Sequence, residues 1–284
     1  MTAGNDAPIG VFDSGLGGLT VVRALREAFP EENIVYLGDT ARVPYGTRSA
    51  ETVIRYARRA ASELTQRGIK ALVLACNTVS AVALEILEAE LDIPVMGVVE
   101  PGAQAGVRAA LLEAQRTSGP PPRVGVVGTA GTIRSGAYPR AVSSLSTRLE
   151  VIAEPAPLLV PLVEEGWLSG TVPELAVERY LTPLIERGAG VIVLGCTHYP
   201  LLREVFERVA SRLAGRPIPV VDSASATAEA LQAWIRSGRL LPAGNKDGGG
   251  ALQLLVTDLP SGFQKVADLF LGSVAPAEQI DLSP

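Results

Sequence analysis

Two cysteines, Cys76 and Cys196, are the residues of this chain best suited to do chemistry. Each follows directly on a short apolar run and precedes a stretch with helical spacing. A cysteine in that position lies near a helix N-terminus, where the helix dipole and the free backbone N–H groups favour a thiolate. A thiol with a pKa of about 8.5 is only about 3% ionised at pH 7, so forming the thiolate costs roughly 2 kcal/mol. The helix N-terminus returns about 0.3–1 kcal/mol of this, and a nearby base or hydrogen-bond donor could supply the rest.

Four interpretations of the cysteine pair are open at this level. One is a structural disulfide, although two cysteines in 284 residues are too few for a disulfide scaffold. Another is a zinc site, because His198 is close to Cys196, but this is the single histidine of the chain and the spacing matches no common zinc pattern. The others are two buried cysteines that act as small apolar residues, and a catalytic thiol pair.

A catalytic thiol pair on opposite walls of one cleft suits one class of reaction, inversion at a carbon that carries an acidic hydrogen. One thiolate removes the proton from one face, and the other thiol delivers a proton to the opposite face. In the reverse direction the two groups exchange roles. Near-symmetry of such a site would follow from the symmetry of the reaction.

Short apolar runs alternate with helical spacing along the chain. Continuous runs of β-branched residues are typical of parallel strands that are covered by helices on both faces. Helical spacing is clearest in residues 49–67, where Ser49 is a candidate N-cap and Gly68 is a candidate left-handed stop. The alternation predicts an α/β protein with doubly wound parallel sheets. The predicted strands begin at Ile9, Ile34, Ala71, Val95, Val124, Val191 and Pro219, and the fourth extends to Val99.

The order of these features repeats with a nearly constant offset. Matching positions are Gly10 and Gly125, Cys76 and Cys196, and Ile93 and Ile218, which are 115, 120 and 125 residues apart. We therefore expect two similar doubly wound domains related by a pseudo-twofold axis, with the active site in the cleft between them. The predicted domains are residues 1–100 plus 222–284, and residues 101–221.

Two segments outside the repeat complete this prediction. The proline-rich residues 117–122 indicate a stiff connection near the junction of the two units. The glycine run 248–250 indicates a turn before a last strand and helix in residues 251–272. These last elements have no counterpart at the end of the first half, so we expect them to return and cover it.

Composition excludes several functional classes. Hydrophobic residues make up 47% of the chain, and Lys plus Arg number 25 against 30 Asp plus Glu, for a net charge of -5. This balance, without a basic block, argues against a protein that binds nucleic acid through its phosphates. No apolar run approaches the roughly 18 residues of a membrane span, and the N-terminus lacks the regions of a signal peptide. We expect a cytoplasmic protein that needs neither nucleic acid nor membrane.

Four segments together resemble the glutamate racemase family: IGVFDSGLGGLT (9–20), YLGDTARVPYG (36–46), ACNT (75–78) and GCTHYPLL (195–202). The resemblance extends from about Ile9 to Leu271. It implies an isomerase that interconverts L- and D-glutamate without a cofactor and supplies D-glutamate for peptidoglycan, and hence for cell-wall biogenesis and cell shape. It also implies two α/β domains, an active site between them, and a homodimer.

The resemblance implies roles for individual residues. Cys76 and Cys196 match the two catalytic acid–base cysteines. Asp13 and His198 match residues that assist the adjacent thiols, and Glu164 matches a further acidic residue near the second cysteine. The expected substrate-contacting residues are Asp13, Ser14, Tyr45, Gly46, Asn77, Thr78, Thr197 and His198. Hydroxyls and main-chain N–H groups at helix starts are suited to hold the two carboxylates of glutamate.

Purely structural roles compete with several of these assignments. Asp13 could only cap the helix predicted near Gly17, and His198 could be a surface residue. Tyr45 could be a packing residue and Glu164 a solvated helix charge. The segment before Glu164 also departs from the family, which often has a Cys-Pro pair where this chain has Ala156 and Pro157. Thr129 and Thr132 could reach the substrate or could belong to an ordinary strand–helix turn.

Other functions also remain open. A racemase of aspartate or another amino acid could use the same thiol pair, although aspartate relatives typically carry Glu where this chain has His198. A non-catalytic amino-acid-binding module would make the cysteines incidental. A dinucleotide site at the glycines of residues 15–18 is disfavoured, because the third glycine of G-x-G-x-x-G would fall at Thr20 and Asp13 would lie beside the pyrophosphate.

Overall fold

Two parallel β-sheets form the frame of the molecule. The computed structural model describes residues 5–118, 120–244, 249–259, 263–273 and 275–282. In these ranges one sheet has the strand order β10-β9-β2-β1-β3-β4 and the other β6-β5-β7-β8, and every pairing is parallel. The strands are β1 Ile9–Asp13, β2 Ile34–Gly38, β3 Ala71–Leu74, β4 Val95–Gly97, β5 Arg123–Gly128, β6 Val151–Pro155, β7 Ala189–Gly195, β8 Val220–Asp222, β9 Leu252–Val256 and β10 Ala277–Gln279.

Helices cover the faces of both sheets. The α-helices are α1 Leu19–Ala28, α2 Ala50–Gln66, α3 Asn77–Glu90, α4 Val99–Thr117, α5 Ala130–Ser135, α6 Ala137–Leu145, α7 Leu159–Glu164, α8 Thr171–Glu186, α9 Arg203–Ala214, α10 Ser223–Arg236 and α11 Phe263–Leu271. Short 3-10 helices span Thr40–Arg42, Tyr45–Thr47 and Tyr199–Leu202. No helix in the described ranges is long and apolar enough to span a membrane.

The two sheets share one topology, as the sequence repeat predicts. The order β2-β1-β3-β4 of the first sheet corresponds to β6-β5-β7-β8 of the second. The matching sequence positions fall on corresponding elements, with Gly10 and Gly125 in β1 and β5. Cys76 is the second residue after β3, and Cys196 is the first residue after β7. The predicted fold of two similar doubly wound parallel-sheet units is confirmed. We refer to them as the first lobe and the second lobe.

Helix α2 illustrates how local sequence sets an element. The Ser49 hydroxyl accepts a hydrogen bond from the Thr52 backbone N–H at 3.3 Å, which satisfies a donor that has no partner inside the helix. Gly68 then adopts a left-handed φ of +73°, a conformation that glycine reaches without steric cost. The apolar stripe between these two points is buried against the first sheet. Both ends of this helix were therefore predicted correctly.

Three sequence predictions needed revision. The fourth strand ends at Gly97, and Val99 already begins α4, because Pro101 in the first turn of a helix carries a fixed φ that suits helical geometry. Strands β6 and β10 were missed, since both lie at sheet edges and contain polar residues. The predicted linker starts after Thr117, the last residue of α4. Gly119 and Gly248, which belong to the predicted linker and glycine turn, lie outside the described residues.

The chain passes from the first sheet to the second through α4 and returns through α10. After the return, β9 pairs in parallel with β2 and extends the first sheet, as predicted for the last elements. One apolar cluster contains buried residues of both lobes, for example Val11 from β1 and Leu194 from β7. The sheets are therefore held together by a common core. The domain boundaries at residues 100/101 and 221/222 stay a prediction.

Candidate active site

The two cysteines lie at equivalent topological positions. In each sheet the chain runs from the central strand to a neighbour on one side and then crosses to the other side, so a crevice opens beyond the carboxyl ends of β1 and β3, and of β5 and β7. Cys76 follows β3 and is the N-cap of α3. Cys196 follows β7 and precedes a 3-10 helix. Both switch points therefore carry a sulfur.

A single cavity joins these two crevices. Both lobes contribute to its lining, so the cavity lies between the two units. The lining residues are Ser14, Gly15, Val43, Pro44, Tyr45, Gly46, Cys76, Asn77, Thr78, Thr129, Val160, Glu164, Cys196, Thr197 and His198.

Cys76 is a buried thiol with polar neighbours. Its Sγ lies 3.4 Å from the Ser14 Oγ. Burial and the nearby Asp13 carboxylate raise the pKa of Cys76 to about 12, although the Ser14 hydroxyl and the Val79 backbone N–H favour the thiolate. The charge of Cys196 contributes in the same direction as Asp13, because two like charges near each other oppose ionisation. The Cys76 side chain therefore rests as a thiol.

Cys196 belongs to a line of three interacting groups. The Cys196 Sγ lies 3.8 Å from His198 Nδ1, and His198 Nε2 lies 3.0 Å from Glu164 Oε1. Burial disfavours the charged imidazole, but the hydrogen bonds and charges of Cys196 and Glu164 outweigh it and raise the pKa of His198 to about 10. A protonated imidazole beside a sulfur favours a thiolate. His198 is buried, so the surface-residue interpretation is wrong.

The C-terminal segment supports this arrangement. The Phe270 ring of α11 packs edge-on against the His198 ring, with centroids 5.0 Å apart.

Glu164, the last residue of α7, reaches the same imidazole although the segment before it departs from the family pattern. The Glu164 side chain is 45% exposed, so the carboxylate connects a buried ring with solvent. Glu164 is therefore more than a solvated helix charge.

Asp13 lies behind the cavity wall. Its side chain is fully buried at the end of β1, and its Oδ2 accepts a hydrogen bond from the Gly15 backbone N–H at 3.0 Å. Burial raises the pKa of Asp13 despite the opposing charge of His198 and the backbone N–H groups around it. Helix α1 begins at Leu19 with Gly18 as its N-cap. Asp13 therefore does not have the simple N-cap position that the sequence left open.

Tyr45 lines the cavity and also packs against a neighbouring aromatic ring. Its ring is buried and meets Phe12 edge-on at a centroid distance of 6.5 Å. Its hydroxyl donates to the buried Asp39 carboxylate, which also accepts a hydrogen bond from Thr257 Oγ1 at 2.8 Å. The hydroxyl of Tyr45 is therefore engaged within the protein, and Asp39 anchors the loop that carries Tyr45 and Gly46.

Hydroxyl groups of both lobes meet at the cavity wall, which Thr78 and Thr129 line. Thr78 Oγ1 of the first lobe lies 2.8 Å from Thr129 Oγ1 and 3.2 Å from Thr132 Oγ1 of the second. Gly46 approaches Thr129 so closely that an added Cβ would lie 2.8 Å from the Thr129 Cβ. The sequence left the role of Thr129 open, yet the repeat offset of 115 that relates Gly10 to Gly125 also relates Ser14 to Thr129. That signal could have identified it.

Geometry excludes the disulfide interpretation of the cysteine pair. Both cysteines are free, so the structural disulfide is wrong. Within the part of the chain that the structure describes, no three His, Cys, Asp or Glu side chains lie close enough together to hold a metal ion. Both thiols are buried, but they also line the common cavity with polar groups beside them.

Known proteins are similar to this chain in fold and in sequence. The family model of Asp/Glu/hydantoin racemases matches residues 10–231. A glutamate racemase of Geobacter metallireducens is 49% identical over 264 residues, which are 93% of this chain and 92% of that protein. The glutamate racemase structure of Francisella tularensis, in complex with D-glutamate, is 33% identical with a TM-score of 0.86 and 98% coverage of both chains. That of Thermus thermophilus, in complex with beta-chloro-D-alanine, is 40% identical with a TM-score of 0.82 and the same coverage.

The fold and the similarity to known racemases together define this protein as an isomerase of the amino-acid racemase type. The chain belongs to the Asp/Glu/hydantoin racemase family. The resemblance that four sequence segments indicated is therefore confirmed, as is the enzyme class.

Proposed function

We propose that this protein interconverts L- and D-glutamate by proton transfer between the substrate Cα and two thiols, without a cofactor. The observation that carries the proposal is that Cys76 and Cys196 are both free and line one cavity at the switch points of two facing lobes. The relatives named glutamate racemase, one of them in complex with D-glutamate, support glutamate as the substrate.

The reaction needs one thiolate and one thiol in each direction. The thiolate takes the Cα proton and becomes a thiol, and the electron pair of the broken C–H bond delocalises into the α-carboxylate. The second thiol then gives its proton to the opposite face of Cα and becomes a thiolate. One proton leaves the substrate and one enters it, so the enzyme ends with the protonation of its two sulfurs exchanged.

The two sulfurs have different electrostatic surroundings. The His198 imidazolium lies beside Cys196, whereas burial and the negative charge of Asp13 favour the thiol at Cys76. We therefore assign Cys196 as the resting base and Cys76 as the resting acid. His198, with Glu164 behind it, stabilises the negative sulfur, and Asp13 acts on Cys76 in the opposite sense.

The intermediate carries extra negative charge on its carboxylate. The first backbone N–H groups of α3, at Asn77 and Thr78, have no acceptor inside the helix and lie at its positive end. Preorganised donors of this kind stabilise developing charge more strongly than water does. We assign the α-carboxylate to these groups and to Thr197, and the side-chain carboxylate to the hydroxyl cluster of Thr78 and Thr129. The remaining residues that we expect to surround the substrate are Ser14, Tyr45 and Gly46.

The direct test is incubation with L-glutamate in heavy water. Polarimetry follows racemisation, and NMR or mass spectrometry follows deuterium at Cα. We expect loss of optical rotation together with one solvent deuteron in the product enantiomer. Binding without exchange would favour the non-catalytic amino-acid-binding module, and turnover of aspartate alone would move the substrate assignment to the second candidate.

We also propose, from the family resemblance, that the product supplies D-glutamate for peptidoglycan and that the enzyme acts as a cytoplasmic homodimer without nucleic acid. Growth of a D-glutamate-requiring bacterium that expresses this chain would test the metabolic role. Light scattering of the nuclease-treated, active enzyme would test the assembly and the independence from nucleic acid.

A further inference from the structure

Tyr138 of the second lobe reaches into the active-site region of the first. Its hydroxyl donates a hydrogen bond to Asn77 Oδ1 at 2.8 Å, and Asn77 Nδ2 donates to Ser223 Oγ at 3.1 Å. Asn77 is the first residue of α3 and directly follows Cys76, whereas Ser223 begins α10, by which the chain returns to the first lobe. Both ends of the Asn77 amide are thus held by other parts of the protein.

The ring of Tyr138 also packs against the second cysteine segment. Gly195, which directly precedes Cys196, has no side chain where the ring passes, and an added Cβ would lie 3.0 Å from Tyr138 Cε2. At Gly102, in the first turns of α4, an added Cβ would lie 2.9 Å from the hydroxyl oxygen. Tyr138 is 1% exposed. One buried side chain therefore contacts the residue after Cys76 and the residue before Cys196.

We infer that Tyr138 is a positioning residue that sets the distance and orientation of the two thiols by holding Asn77 on one side and packing against Gly195 on the other. This inference rests on the proposed racemase function. The hydroxyl fixes Asn77, so it fixes the N-terminus of α3 and the attached Cys76. The ring fixes the end of β7, so it fixes Cys196.

The physical reason is the cost of a buried group without its partner. Without the phenol hydroxyl, Asn77 Oδ1 would remain buried without its donor, and the amide would have to turn or shift to regain one. Asn77 cannot shift without moving the start of α3. Proton transfer at carbon depends on near-contact distances, and a displacement of about 1 Å at a reacting group can cost about 100-fold in rate.

Tyr138→Phe tests the inference, because it removes one oxygen atom and keeps the ring. We expect kcat for glutamate to fall by at least about tenfold, while KM changes much less. We also expect the primary isotope effect with Cα-deuterated glutamate to be at least as large as in the parent, because proton transfer is the step that slows. The matched control is Val142→Ala on the same helix, which is buried in the second-lobe core and is expected to keep the parental kcat.

A kcat for Tyr138→Phe within twofold of the parent, or a smaller isotope effect, overturns the inference. An active parent with an unaffected variant refutes only the inference, whereas a parent that does not racemise glutamate refutes the proposed function. If Tyr138→Phe does not fold, Ser223→Ala takes its place, because it removes the acceptor at the other end of the Asn77 amide. The same two measurements, kcat and the isotope effect, then test the inference.

A double variant tests whether Tyr138 acts through Asn77. In an Asn77→Ala background the phenol has no amide to hold, so adding Tyr138→Phe is expected to cause no further loss of kcat. Losses that multiply would mean that the contact with Asn77 is not how Tyr138 acts, and they overturn the inference.

Discussion

The Sγ atom of Cys196 lies 3.8 Å from Nδ1 of His198. The other nitrogen of the same ring lies 3.0 Å from the Glu164 carboxylate, which is partly exposed. The imidazole therefore joins a buried sulfur to a group that meets solvent. No equivalent histidine stands beside Cys76, where Asp13 provides negative charge instead. The two halves of the site share a topology but differ in their electrostatics, and the predictions below follow from that difference.

Glu164→Gln is expected to lower the pKa of His198 from its value of about 10, because the carboxylate stabilises the charged ring by a hydrogen bond and by charge. Since the imidazolium supports the Cys196 thiolate, the alkaline fall of kcat/KM would move to lower pH. Glu165→Gln, the exposed neighbour, is the matched control and should keep the parental profile. Superimposable pH–rate profiles for Glu164→Gln and the parent would contradict the role of Glu164.

Cys76→Ser and Cys196→Ser are each expected to lower the rate of racemisation by several orders of magnitude, because a serine hydroxyl is a far poorer base than a thiol. Polarimetry with L-glutamate and with D-glutamate measures the loss in both directions. Circular dichroism should show an intact fold for each variant. A near-parental rate in either variant would remove that cysteine from the mechanism.

Gly17→Ala is expected to displace the Thr197–His198 segment. An added Cβ would overlap Thr197 Oγ1 and would lie 2.5 Å from His198 Nδ1, and this contact is between the two lobes. A shift of about 1 Å there predicts a loss of about 100-fold in kcat/KM. Gly249→Ala, where the nearest atom to an added Cβ is 3.7 Å away, is the matched control. Equal activity of the two variants would show that His198 needs no such exact position.

Stability should fall as the solution becomes alkaline. The pKa of His198 is raised from 6.5 to about 10 in the folded protein, so its contribution is fully present below pH 6.5 and is lost as the pH rises towards 10. Chemical denaturation at a series of pH values should therefore give a falling free energy of unfolding between pH 6.5 and 9. His198→Gln should flatten this slope. If the free energy of unfolding falls with pH as steeply in His198→Gln as in the parent, the imidazole does not hold its proton in the folded protein.

A further loss of folding stability is expected above pH 9. There the unfolded thiol of Cys76 ionises, whereas its folded pKa of about 12 keeps it neutral, which favours the unfolded chain. Cys76→Ala should remove this second decline and leave the first one in place. Denaturation curves between pH 9 and 11 measure it, and an unchanged decline in Cys76→Ala would assign it to other groups.

The sequence by itself determined the fold class, the two thiols and the repeat that relates them. Apolar runs, helix caps such as Ser49 and stops such as Gly68 act over a few residues, so they can be recognised without knowledge of the rest of the chain. The short polar strands β6 and β10 carry a weaker local signal, because their pairing with a neighbouring strand stabilises them.

Only the tertiary structure decided which groups surround the thiols. Asp39 meets Tyr45 through a loop anchored by Thr257, more than two hundred residues away, and Tyr138 meets Asn77 across the lobes. These contacts depend on how two independently patterned sheets face each other. That orientation is set by burial of the shared core. Many residues of both lobes contribute to this burial, so no single position in the sequence predicts the orientation.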